Sequence, residues 1–76
     1  MSWVYVLLNT EPSQMENVLE GIKQIDGVEE AYMDYGVYDI CVKVKSKIPK
    51  ELKGIVQKIR IQDNVLSPLT LMVIKE

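Results

Sequence analysis

The spacing of apolar residues changes five times along these 76 residues, and no other feature narrows the fold as much. Trp3 to Asn9 is a Val/Leu/Tyr-rich run bounded by Thr10-Glu11-Pro12, which reads as a strand. Met15, Val18, Leu19, Ile22 and Ile25 then recur at three- and four-residue steps and share one face of a helix. Thr10 is expected to cap that helix and Pro12 to occupy its first turn. Asp26-Gly27 ends it, with Gly27 in the left-handed conformation of a helix terminus. A second strand is expected over Val28 to Asp34, with Ala31 and Met33 facing one way and Glu30, Tyr32 and Asp34 the other. Beyond the turn Tyr35-Gly36-Val37, the segment Tyr38 to Lys45 alternates. Tyr38, Ile40, Val42 and Val44 take one side; Asp39, Cys41, Lys43 and Lys45 take the other. Pro49 opens a second helix with the apolar face Leu52, Ile55, Val56 and Ile59. Gln62-Asp63-Asn64 breaks it, and Leu66 to Ile74 is the last strand.

The order β-α-β-β-α-β defines an α+β fold of ferredoxin-like type: a four-stranded antiparallel sheet with both helices on one face. Its halves echo each other, since Ile25-Asp26-Gly27-Val28 and Gln62-Asp63-Asn64-Val65 close the two helices in matching ways. A chain of this size buries only about 60% of its unfolded surface, so residues 1–76 read as one domain. The sheet face away from the helices should be polar, as in a half-exposed antiparallel sheet. Instead, strand one is apolar on both sides, and so is strand four, and the two are expected to be neighbours near the sheet centre. Trp3, Tyr5 and Leu7 with Leu69, Leu71 and Val73 are expected on the open face. A contiguous apolar patch marks an interface, and a homodimer packed sheet to sheet closes it most simply.

Composition removes most chemistry. The chain has no His and one Cys, so His-based acid/base work, Ser-His-Asp triads and multi-ligand metal sites lose their usual residues. No catalytic residue, metal or cofactor is expected, and the chain reads as a non-enzyme. The net charge of −2 and pI of about 5.1, with scattered basic residues, argue against specific DNA or RNA binding. There is no 18-residue apolar stretch for a membrane and no leader pattern at Met1-Ser2-Trp3. A lone Cys41 in a strand reads as a buried thiol of a reduced, cytoplasmic chain.

Glu29, Glu30 and Asp34 on strand two read as a charged edge rather than a cation site. Tyr32, Tyr35 and Tyr38 cluster around the hairpin, where they either pack across strands or line a small-molecule cleft. Asp39 stands out. It either accepts turn amides at the hairpin base or presents a counter-charge to a ligand ammonium.

Four stretches together resemble the ligand-binding domain of the Lrp/AsnC regulators of amino-acid metabolism. They are Tyr5-Val6-Leu7-Leu8-Asn9-Thr10-Glu11-Pro12, Ile25-Asp26-Gly27-Val28-Glu29-Glu30-Ala31-Tyr32, Gly36-Val37-Tyr38-Asp39-Ile40 with Val42-Lys43-Val44, and the last strand with Ser67, Thr70 and Leu71 to Ile74. The resemblance implies a homodimer, rings of eight or ten chains, and a small amino acid bound between dimers. The ligand residues it implies are Tyr35, Gly36, Tyr38 and Asp39, completed by Ser67 and Thr70 of a neighbour. The chain starts at its first strand, where family members usually carry a helix-turn-helix. It is therefore expected to act as a stand-alone effector domain, regulating by co-assembly with full-length relatives. The hairpin often has an acid after its glycine; Val37 in that place implies a weaker site or an apolar ligand. Two other readings share the topology: a dimeric barrel enzyme of monooxygenase type, for which Trp3 and Asn9 would be the available site residues, and a purely structural assembly subunit.

Overall fold

In the computed structural model, which describes residues 2–75 apart from the side chains of Ser2, Ser67 and Lys75, every expected element is present. They are β1 (Ser2–Thr10), a 3-10 turn (Pro12–Gln14), α1 (Met15–Lys23), β2 (Val28–Met33), β3 (Ile40–Ser46), α2 (Pro49–Arg60) and β4 (Val65–Lys75). The strands lie in the order β2-β3-β1-β4, and each neighbouring pair is antiparallel. This is the α+β ferredoxin-like arrangement. The helices supply Val18, Leu19 and Ile22 from α1, and Ile55, Val56 and Ile59 from α2. These pack on Val4, Val6 and Leu8 of β1 and Ile40, Val42 and Val44 of β3, as the two sequence periods require. Gly27 (φ 97°) and Asn64 (φ 69°) close the two helices in left-handed conformation, so the echo between the halves is a shared backbone geometry. A Cβ on Gly27 would run into Ile55 Cδ1.

Thr10 does not cap α1. It stays in β1, in line with Val4, Val6 and Leu8, and is 2% exposed on the helix side of the sheet. The 3-10 turn intervenes, and α1 begins with no side-chain cap. Buried there, Thr10 Oγ1 has no hydrogen-bond partner among the described residues. An unpaired buried hydroxyl costs about 1–3 kcal/mol, so the isosteric Thr10→Val is expected to stabilise the domain by about 1 kcal/mol. For a domain this small that is about 4–8 °C in Tm. A lowered Tm in thermal denaturation would contradict the assignment.

β4 is an edge strand, not one near the sheet centre as its apolar pattern suggests. Val4 pairs with Val73 and Val6 with Leu71, and residues directly opposed on antiparallel strands share a face. Leu71 and Val73 therefore lie on the helix side, and Leu69 packs against the same core. They are not on the open face. Leu71 and Val73 are still 45% and 64% exposed, because they border a groove of about 440 Å³ between α2 and β4. The open face carries the opposite set: Trp3 pairs with Ile74, Tyr5 with Met72 and Leu7 with Thr70. Past Leu7 the register slips, and Asn9 next meets Leu66. At the other end of the strands Ser2 pairs with Lys75. β2 is the second edge, with Glu29 and Glu30 exposed. Among the described residues, no helix is long and apolar enough to cross a membrane.

Candidate functional site

The polar residues singled out in the sequence gather where the β2–β3 loop meets the end of β1. Asp39 is half-buried just before β3. Its main-chain N–H donates to Leu8 O and to Asn9 Oδ1, each at 3.0 Å. Its carboxylate Oδ2 accepts the Thr10 N–H at 2.9 Å, and its carbonyl accepts the Asp34 N–H at 2.8 Å. Asp39 thus ties the hairpin to β1 rather than capping its own turn. Oδ1 makes no hydrogen bond among the described residues.

Tyr38 departs from the strand parity read in the sequence. The ladder starts at Ile40, so alternation does not extend back to residue 38. Its hydroxyl lies 2.6 Å from Thr70 Oγ1. Thr70 pairs with Leu7, so this contact belongs to the open face, not to the side of Ile40 and Val42. Tyr35 (93% exposed) and Val37 (86%) project from the loop tip, where Gly36 N–H donates to Asp34 Oδ1 at 3.3 Å. Ser67 lies on β4 within the register slip, and its side chain is outside the described residues. The fold therefore brings Tyr38, Asp39 and Thr70 together and leaves Tyr35 and Gly36 at the rim. It adds Asn9, which the sequence offers as a site residue only for the monooxygenase-type reading and not for the hairpin cluster.

The rest of the open face is apolar with a basic border. Trp3 and Tyr5 rings stand 6.2 Å apart, and Lys43 Nζ sits 3.8 Å over the Trp3 ring. Such a cation–π contact is worth about 0.5–1 kcal/mol where exposed. Cys41 is buried on this face, opposite Leu7 and Tyr32. Hydrogen bonding to that thiol pushes the Tyr32 hydroxyl above the ordinary tyrosine range. A larger cleft, about 810 Å³, lies at the far end of the sheet between α2 and the start of β2. Gly27, Ser46, Ile48 and Gly54 line it, and no residue of the hairpin cluster does. Among the described residues, no group of three or more His, Cys, Asp or Glu is placed to hold a metal ion.

An open apolar sheet face with a polar cluster at one end is the architecture of a small ligand-binding α+β domain. The chain belongs to the Lrp/AsnC family, whose ligand-binding domain matches residues 3–76. A homocitrate synthase from Sulfurisphaera tokodaii is 42% identical over 59 residues, covering 78% of this chain but 13% of the synthase. The chain thus spans about an eighth of the length of the curated relatives it matches. Among solved structures, a hypothetical protein from Pyrococcus horikoshii superposes with a TM-score of 0.88 at 30% identity, covering 100% of this chain and 92% of that one. A Thermus thermophilus protein gives 0.90 at 23%, covering 100% and 95%. A feast or famine regulatory protein from M. tuberculosis, solved with L-methionine, gives 0.81 at 22%, covering 100% and 51%.

Proposed function

We propose that this domain is an amino-acid sensor and assembly module: it binds a small amino acid at the hairpin end and self-associates through its open sheet face. The observation that carries the reading is Asp39, held by four hydrogen bonds with one carboxylate oxygen left over. A fixed, half-buried carboxylate is suited to an ammonium group, where charge-assisted hydrogen bonds are strongest. The M. tuberculosis protein solved with L-methionine supports the ligand class, and Val37 at the loop tip favours an apolar side chain. Tyr35, Gly36, Tyr38 and Thr70 complete the proposed site, Thr70 from the same chain through its contact with Tyr38, and Ser67 from a neighbouring dimer. Homodimers assemble to octamers or decamers in this reading, and the domain co-assembles with full-length relatives in the cytoplasm. It has no catalytic role. The match to 13% of a synthase supports a module that accompanies other activities rather than carrying one.

The test is a thermal-shift screen against the twenty amino acids, repeated with Asp39→Asn and Asp39→Ala. Asparagine keeps an acceptor for Thr10 N–H but removes the charge, so the variant should fold normally. It should lose about ten- to hundredfold in affinity, the value of a charged hydrogen bond. Alanine should lose the ligand response and also about 1–3 kcal/mol of stability, because the Thr10 amide is left unpaired. A full response in Asp39→Asn, or no response to any amino acid at millimolar concentration, overturns the reading.

A further inference from the structure

The elements that meet at the hairpin end of the open face are the β1 end Leu7–Thr10, the loop Asp34–Asp39, the β3 start Ile40–Cys41 and the β4 segment Val65–Leu71. None of them contains a Lys or an Arg. Within this chain, the donors beside Asp39 that could meet a ligand carboxylate are therefore neutral. Tyr38 and Thr70 share one hydrogen bond, in which one hydroxyl donates and the other accepts, so at most one hydroxyl proton of the pair is left for a ligand. Asn9 is differently placed. The atom 3.0 Å from the Asp39 main-chain nitrogen faces an N–H donor, so it is the amide oxygen. That bond fixes the amide orientation, which is otherwise ambiguous for Asn. Both hydrogens on Nδ2 are then directed away from Asp39 N, and they make no bond among the described residues. Asn9 follows Trp3, Tyr5 and Leu7 in the strand alternation, and it pairs with Leu66. Asn9 is half-buried.

We infer that Asn9 is the carboxylate-recognising residue of the site, donating Nδ2–H to the ligand's carboxylate while Asp39 Oδ1 accepts from its ammonium. An α-amino acid carries both groups on one carbon, and Asn9 and Asp39 present the complementary donor and acceptor from residues bonded to each other. The inference rests on the proposed amino-acid reading and adds one requirement to it, that the ligand's carboxylate be free to accept from Asn9. An acidic residue at position 9 would reverse that requirement.

Asn9→Ala is a mild substitution, because Asp39 N–H keeps its bond to Leu8 O. The experiment measures binding, by calorimetry, of the amino acid that most stabilises the unmodified protein and of its methyl ester, which keeps the ammonium but loses the charged carboxylate. The unmodified protein should prefer the free acid by about tenfold or more. Asn9→Ala should bind both about equally, with the Tm of the unliganded protein unchanged, and Asp39→Asn should weaken both. If Asn9→Ala retains the preference for the free acid, the inference is wrong while the amino-acid reading stands. If no amino acid binds the unmodified protein, both fall.

Discussion

Replacing Met72 with glutamate is expected to give a folded monomer, whereas Leu71→Glu, one residue away, leaves self-association in place. Met72 pairs with Tyr5 on the open face, beside Trp3, Leu7 and Ile74. Each apolar side chain fully buried there contributes about 1.5–3 kcal/mol. A carboxylate in the centre of that contact would be desolvated with no partner, at about 3–5 kcal/mol. That corresponds to about a hundredfold or more in dimer dissociation. Leu71 points to the groove beside α2, where glutamate faces solvent next to Lys53 and Arg60. Light scattering at micromolar concentration separates the two variants. Monomers of the unmodified chain, or dissociation by Leu71→Glu with association retained by Met72→Glu, would refute the open-face interface.

The largest stability loss is expected at Gly27. Its φ of 97° costs an L-residue about 1–2 kcal/mol, and its missing Cβ is the space that Ile55 Cδ1 fills. Overpacking a core contact adds about 1–3 kcal/mol. The Gly27 carbonyl also accepts the Lys45 N–H at 3.2 Å, so any shift of the turn disturbs β3. Gly27→Ala should therefore lower Tm by about 10 °C or more. Asn64→Gly at the matching turn should leave Tm unchanged or slightly raised, because glycine relieves the left-handed strain at φ 69°. A Tm for Gly27→Ala within about two degrees of the unmodified protein would contradict this account.

How much of the fold is legible in the sequence follows from how unevenly the strands are patterned. In β3, apolar residues at 40, 42 and 44 alternate with Cys41, Lys43 and Lys45, so its buried side reads directly. β4 is apolar at both parities. Periodicity groups Leu69 with Leu71 and Val73, but it cannot say which group faces the helices. Only the register against β1 decides that, and a one-residue change of register reverses the answer. Tyr38 escapes the pattern for a different reason: alternation holds inside a ladder, and the ladder begins two residues later, at Ile40. Asp39 is legible through its turn, although its amide partner is Thr10 on another strand. Asn9 cannot be paired with it from sequence, since the two are far apart along the chain and meet only once β1 lies beside β3.

The pairing of Ser2 with Lys75 bears on how such a domain travels between proteins. Where the first and last strands run side by side and finish at one corner, a host chain can leave and re-enter at almost the same point. Inserting or appending the unit then leaves the spacing of the host's own elements nearly undisturbed. The same neighbourhood makes the chain rejoinable: a short glycine-rich tether across that corner, with new ends cut in the exposed Tyr35–Val37 loop, should still assemble the four-stranded sheet. Matches covering 13% of a synthase and 51% of a regulatory protein are what such portability would leave behind.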